Sequence, residues 1–237
     1  MNNKFKKIME ESENIVFFGG AGGSTESGIP DFRSVDGIYN QKYKYAPEYI
    51  LSSSFFYKNT EEFYEFYKDK MIYLKAKPNN AHKILSELEQ TGKMKAVITQ
   101  NIDGLHQAAE SKNVLELHGS VYRNYCLKCH KFYNIEYMVN SKGVPVCDCG
   151  SIIKPDVVLY EENLDENVLL KSAEYISNAE VLIVGGTSLG VYPAAGLLDY
   201  FKGSYLILIN KSITPLDKKA DLVIRESIVE TFMNLIK

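Results

Sequence analysis

Four short apolar runs in this chain each stop abruptly in small or polar residues. Asn14-Ile15-Val16-Phe17-Phe18 ends in Gly19-Gly20, and Met94 to Ile98 ends in Thr99-Gln100-Asn101. Ala179 to Val184 ends in Gly185-Gly186-Thr187-Ser188, and Tyr205 to Ile209 ends at Asn210. Continuous runs of this length without apolar/polar alternation are strands buried on both faces, as in parallel sheets. Shorter strand-like stretches are Val114 to Leu117, Lys154 to Tyr160 and Leu222 to Ile224. Amphipathic segments lie between them: Asn3 to Glu13, Thr60 to Leu74, Asn80 to Gln90, Leu164 to Ser177, Pro193 to Phe201 and Glu226 to Ile236. Strands alternating with helices predict an α/β fold built on a doubly wound parallel sheet. In such a sheet the strand ends share one edge, and that edge is where ligands bind.

The densest polar cluster on that edge is Thr99-Gln100-Asn101-Ile102-Asp103-Gly104-Leu105-His106, followed by Glu116-Leu117-His118-Gly119. Amide, carboxylate and imidazole groups within a few residues suit a ligand crevice; a polar strand-to-helix connection with Asp103 as N-cap is the alternative. At the first strand end, Gly20-Ala21-Gly22-Gly23-Ser24 is the glycine turn of a nucleotide-binding βα unit. Its glycines admit a pyrophosphate, and a following helix would offer free N–H groups. The third position of the G-x-G-x-x-G spacing is Thr25, so a tight turn without a ligand also fits. Beyond it, Pro30 disfavours helix at Ile29, leaving a loop that carries Asp31, Phe32 and Arg33. Arginine is scarce (Arg33, Arg123 and Arg225), so each is expected to be held by geometry that lysine cannot match.

The 237 residues carry a net charge of −3 without a basic stripe, which argues against intrinsic nucleic-acid binding. Neither an apolar span of membrane length nor a signal-type apolar segment after Met1 to Lys7 is present, so a cytoplasmic location and no membrane association are expected. All four cysteines fall in one window, Cys126-x2-Cys129 and Cys147-x-Cys149. Paired knuckles of this kind predict one structural Zn2+ held by four thiolates, with no open position for water. The second knuckle is tight, and His130 is a substitute ligand if one thiolate falls short. Cys126-Leu127-Lys128-Cys129-His130 also spells a haem-attachment pattern, but that reading leaves the second pair idle. Residues 120–154 therefore read as an inserted zinc module.

Taken together, Gly20 to Arg33, Thr99 to His106, Glu116 to Gly119, the cysteine pairs, Lys154 to Tyr160 and Gly186 to Leu189 resemble the sirtuin family. The resemblance runs in order from about residue 5 to 236. It implies an NAD-dependent protein lysine deacylase with a Rossmann-like large domain (1–33, 78–119 and 155–237). A small domain would combine a helical insertion (34–77) with the zinc module (120–154). It further implies that NAD contacts Gly20, Ala21, Gly22, Ser24, Glu26, Asp31, Phe32, Arg33, Gln100, Asn101, Ile102, Asp103, His118, Gly186, Thr187, Ser188, Asn210 and Lys211. Asp103 would hold the nicotinamide carboxamide. The acylated lysine of a protein substrate would thread past Phe32, Val158, Leu159, Tyr160, Gly190 and Val191, pairing as a strand near Leu159 and Gly190.

By the same resemblance the acyl oxygen attacks the ribose carbon that bears nicotinamide, and O-acyl-ADP-ribose is formed. Asn101 and His118 are the implied catalytic residues, with His118 the general base on the ribose hydroxyls; an imidazole pKa near 6.5 suits it. Members that take acidic acyl chains resemble one another in a Tyr and an Arg in the helical segment. Here Asp36 to Ser54 holds Tyr39, Tyr43 and Tyr45 with Lys42 and Lys44 but no arginine, which favours acetyl over succinyl groups. NAD hydrolysis or mono-ADP-ribosyl transfer in the same pocket is the alternative activity, and an NAD-sensing zinc adaptor a third. Gly23, Glu161 and the short Cys147-x-Cys149 spacing depart from the family pattern.

Overall fold

The structure, a computed structural model, describes residues 3–32, 37–38 and 43–235. Its strands are β1 (Ile15–Gly19), β2 (Met94–Thr99), β3 (Val114–Glu116), β4 (Gly119–Cys126), β5 (Phe132–Tyr133), β6 (Ile153–Val157), β7 (Val181–Gly185), β8 (Tyr205–Ile209) and β9 (Leu222–Ile224). The helices are α1 (Asn3–Glu11), α2 (Pro47–Ile50), α3 (Ser53–Lys58), α4 (Thr60–Lys70), α5 (Asn80–Gln90), α6 (Leu105–Ala108), α7 (Ile135–Asn140), α8 (Glu166–Asn178) and α9 (Ile228–Met233).

Six strands form one parallel sheet in the order β3-β2-β1-β7-β8-β9. Side chains alternate between its faces, so each apolar run feeds two cores. Phe17, Ile183 and Ile207 face α1, α5 and α9, where they pack with Phe5, Leu85 and Phe232. Val16, Leu182 and Leu208 face α8 and the 3-10 helix Ala194–Tyr200, packing with Ile176 and Leu197. The chain runs outward in one direction from β1 and in the other from β7. The two central strands thus make a topological switch point, with Gly19 level with Gly185 at its carboxyl end.

A second body is built on a three-stranded antiparallel sheet, β5-β4-β6. Its core joins residues of α3 and α4 (Phe55, Phe56, Phe63, Tyr64, Tyr67) to Val121, Met138, Ile153 and the buried Cys126 and Cys147. Phe56 and Phe63 meet edge to face at 5.0 Å, and the buried Tyr64 hydroxyl donates to the Ile153 carbonyl.

Two sequence expectations are corrected. The glycine turn is not followed by an α-helix; two 3-10 turns, Ala21–Gly23 and Thr25–Ser27, take its place. Gly28 adopts φ 84°, a left-handed stop, and Pro30 prevents continuation. The second concerns the stretch Lys154 to Tyr160. Its strand covers Ile153–Val157 and pairs antiparallel with β4 in the small sheet, and only Tyr160 continues as an isolated bridge to Ser52. No helix of the described residues is long and apolar enough to cross a membrane.

Candidate active site and metal centre

The carboxyl ends of β1, β2, β7 and β8 open into one cavity of about 700 Å³. That volume is within the range of small-molecule and cofactor sites. At the switch point the glycines let two chain segments touch. Gly20 N donates to Gly185 O (3.1 Å) and Gly22 N to Gly186 O (2.9 Å). A Cβ on Gly22 would stand 2.7 Å from Gly186 Cα, and one on Gly20 would stand 2.8 Å from Thr187 Cβ. Gly186 itself sits at φ 60°. Side chains larger than hydrogen would close this cradle.

Behind the cradle Asn79 does two jobs. It caps α5 through its side-chain oxygen, and its amide donates to Gly23 O (2.8 Å) and Ser27 Oγ (3.1 Å). The turn is thereby held against a helix end. Ser24, buried, donates its hydroxyl to Asp103 Oδ2 (2.6 Å) and accepts from Asn101 Nδ2 (3.0 Å). The other Asp103 oxygen accepts from Leu105 N (3.0 Å), the first residue of the short helix α6, and Asp103 also faces the cavity. The N-cap position itself is taken by Gly104, at φ 68°, which corrects the reading of Asp103 as N-cap. Gln100 Nε2 donates to Thr187 Oγ1 (3.0 Å), linking the ends of β2 and β7 across the switch point.

His118 leaves β3 for β4 and lines the same cavity. Its Nδ1 lies 2.9 Å from the Gln100 carbonyl oxygen. A carbonyl can only accept, so Nδ1 carries the proton and Nε2 keeps its lone pair. Burial pushes the imidazole pKa below its ordinary value, against the smaller opposing effect of the Gln100 carbonyl. The neutral, proton-accepting form is therefore the one present at neutral pH. His106 from the same sequence cluster points elsewhere. It is buried against Phe17 and lies 4.6 Å, centroid to centroid, from His82.

Of the residues singled out by sequence, Gly20, Ala21, Gly22, Ser24, Asp31, Phe32, Gln100, Asn101, Ile102, Asp103, His118, Val158, Leu159, Tyr160, Gly186, Thr187, Ser188, Val191, Asn210 and Lys211 line the cavity. Glu26 is exposed in a 3-10 turn and Gly190 is exposed after β7, both outside that lining. Arg33, like Asp36, Tyr39 and Lys42, lies outside the described residues. Sequence reasoning missed Lys70, Tyr73, Tyr122, Leu164 and Ser227 on the wall. Only Ser227 carried a local signal, the Ser-x-x-Glu capping box that opens α9.

The four cysteine sulfurs lie within 4.8 Å of one another, with Cys126 and Cys149 at 3.4 Å and Cys129 and Cys147 at 3.5 Å. A tetrahedral zinc with Zn–S of about 2.3 Å spaces its sulfurs by about 3.8 Å, so the donor set fits. Lys128 N and Cys129 N both point at Cys126 Sγ (3.4 Å). Gly150, at φ 83°, folds the short second knuckle by donating to Cys147 O (2.8 Å). The set is complete without His130.

Comparison with known proteins agrees with this geometry. Residues 20–193 match the Sir2 family. The NAD-dependent protein deacetylase of Clostridium perfringens is 61% identical over 230 residues, covering 95% of this chain and 94% of its own. That of Staphylococcus epidermidis is 44% identical over 237 residues, covering 98% and 96%. Among solved structures, a Sir2–p53 peptide–NAD+ complex superposes with a TM-score of 0.88 at 42% identity, covering 100% of this chain and 97% of that one. Sir2Tm bound to a propionylated peptide gives 0.89 at 41% identity, covering 100% and 98%. With a family match over residues 20–193 and relatives of this identity along nearly the whole length, this chain belongs to the Sir2 family.

Proposed function

We propose that the protein is an NAD-dependent protein lysine deacylase acting on acetyl-lysine in preference to succinyl-lysine. The observation that carries this is the cavity that joins the glycine cradle, the Ser24-Asn101-Asp103 network and His118 in one space. NAD when bound supplies a glycosidic bond to nicotinamide whose ribose carbon receives the acyl oxygen. Gly20, Ala21, Gly22, Gly186, Thr187, Ser188, Asn210 and Lys211 would hold its adenosine and phosphates. Asp31, Phe32, Gln100, Asn101, Ile102 and Asp103 would hold the nicotinamide half, with Arg33 beside them in the chain. Ser24 keeps the Asp103 carboxylate aimed, so it can accept from a carboxamide N–H without rearranging. Phe32 excludes water from the reacting centre.

His118 Nε2 takes the proton from a ribose hydroxyl, and the Gln100 carbonyl, already bonded to Nδ1–H, stabilises the imidazolium that results. Val158, Leu159, Tyr160 and Val191 form the floor along which the peptide lies. The described part of the helical segment offers no arginine to a carboxylate-bearing chain; Lys44 is paired with Glu62 at 2.7 Å. The shared aromatic core of 38–72 and 121–159 supports a small domain made of the helical insertion and zinc module, set against the six-stranded body. Unpaired thiols gathered for a metal suit a reducing, cytoplasmic setting, and the net charge of −3 without a basic stripe supports neither nucleic-acid nor membrane binding.

The test is purified protein with NAD and an acetyl-lysine peptide, read by mass. O-acetyl-ADP-ribose and nicotinamide should appear together, and only with the acylated peptide. ADP-ribose formed equally without peptide would replace this reading with NAD hydrolysis. His118→Ala should lower kcat/KM by roughly 10²–10⁴-fold, the usual contribution of a general base.

A further inference from the structure

Arg123 occupies a place the mechanism does not yet use. It lies on β4, and its guanidinium is divided between two carboxylates. Nη1 donates to Glu116 Oε2 at 2.6 Å, and Nε donates to Asp156 Oδ2 at 2.7 Å. Glu116 ends β3, the edge strand of the parallel sheet, and its side chain is only 8% exposed. Asp156 belongs to β6 of the small sheet. Between Glu116 and β4 stands His118, where the chain passes from one sheet to the other.

That passage is tightly determined. Leu117 N donates to Thr99 O (2.9 Å) on the parallel-sheet side, and the His118 carbonyl accepts from Val158 N (3.0 Å) on the other. Gly119 turns with φ 75°, and a Cβ there would stand 1.9 Å from Asp156 O. The backbone thus pivots at His118 with β6 pressed against the pivot, and Arg123 ties the strand before it to the strand packed across it.

We propose that Arg123 is a positioning residue for His118. By bridging Glu116 and Asp156 it sets the angle at which the chain leaves the parallel sheet, and so where the imidazole stands in the cavity. The planar fork is needed because a lysine ammonium cannot present two in-plane donors to carboxylates on different strands. Without it the poorly solvated Glu116 carboxylate loses its cation, and β3 and β6 are free to shift relative to each other.

The proposal rests on the deacylase reading, in which the acyl oxygen first displaces nicotinamide from the ribose carbon and His118 Nε2 then takes the proton of the ribose hydroxyl that attacks the acyl carbon. Two assays on the same full-length protein therefore separate the steps: exchange of labelled nicotinamide into NAD, and deacetylation of the peptide. Arg123→Gln should keep exchange within about 2-fold while deacetylation falls by roughly 10²-fold, the scale of a misplacement near 1 Å. Arg123→Lys should recover part of the deacetylation. Loss of both activities in parallel, or no change in their ratio, overturns the proposal. Should Arg123→Gln fail to fold, Glu116→Gln keeps the side-chain shape and should show the same split at about 10-fold; a wild-type ratio there overturns the proposal as well. Wild-type protein inactive in both assays would instead remove the deacylase reading beneath it.

Discussion

The two sheets of this protein bury their cores by different means. The six-stranded sheet uses aliphatic strands whose central members, β1 and β7, are buried at every position and covered by helices on both faces. The three-stranded body is short of strand and instead stacks Phe55, Phe56, Phe63, Tyr64 and Tyr67 over a cysteine-rich knuckle. The first core is supported by a backbone ladder, while the second depends on aromatic packing and on what the four thiolates hold. A sheet of the second size needs such a staple, because a small apolar core offsets the chain entropy poorly. The cavity lies between these regimes, with the glycine cradle on the first and Val157 and Leu159 of the second core on its wall.

Loss of the metal should have the largest effect, and should fall on the three-stranded body alone. Removal of zinc by chelation, or Cys126→Ser, should unfold the three-stranded body, since structural zinc contributes on the order of 10 kcal/mol in small metal-dependent folds. Hydrogen exchange should then show β4 and β6 unprotected while β1 and β7 stay protected. Deacetylation that survives with metal content measured at zero would show that the aromatic core suffices alone. Next in size are the cores themselves. Phe56→Ala should cost about 3–5 kcal/mol and Ile183→Val about 0.5–1.5 kcal/mol in denaturant unfolding. A cost below about 1 kcal/mol for Phe56→Ala would contradict its place in the aromatic core.

Acid should act on the large body. Burial lowers the His82 pKa to about 4 and holds that of His106 well below its ordinary value, with nearby Asp103 opposing the shift in His82. A histidine depressed in the folded state binds its proton more readily when unfolded. Stability present above the unfolded pKa near 6.5 is thus lost as pH falls below it. From pH 7 to pH 5, His82 alone should cost on the order of 2 kcal/mol, and replacing it with Gln should flatten the Tm profile. A wild-type Tm unchanged down to pH 5 would contradict that burial. The smallest effect is expected at the junction of the bodies. Glu161, at φ 75°, accepts from Ser54 N (2.8 Å) and Ser54 Oγ (3.0 Å), so its carboxylate is held on the cavity wall. Glu161→Gly should raise KM about 2–5-fold for peptides with basic flanks and little for neutral ones, the scale of one exposed charge pair. Equal shifts for both peptides would reduce Glu161 to a backbone anchor.

Much of this was legible in the chain because it follows from local patterns. Apolar runs ending at Gly19, Thr99, Gly185 and Ile209, broken only by the exposed Lys95, specify parallel strands, and their shared polar endings mark the edge where the cavity opens. The knuckle spacing specifies the donor set. Other features were not local. Ala21–Ser27 forms 3-10 turns because Gly28 and Pro30 stop a helix and Asn79, far along the chain, holds the turn. His106 and His118 share similar polar surroundings in sequence, yet one is packed on Phe17 and the other faces the cavity.

Strand period, backbone freedom and ligand spacing act over a few residues, so the parallel sheet, the glycine cradle at its edge and the four-cysteine knuckle are written locally in the chain. Tertiary structure alone decided that β6 joins the small sheet, that Ser24 reaches Asp103 and Asn101, and that Arg123 spans Glu116 and Asp156 around His118. The Ser24 contacts exist only once β1 and β2 lie side by side, and the Arg123 bridge only once the small sheet packs against the end of β3. Strand pairing and packing bring these groups together, which local spacing in the chain does not encode.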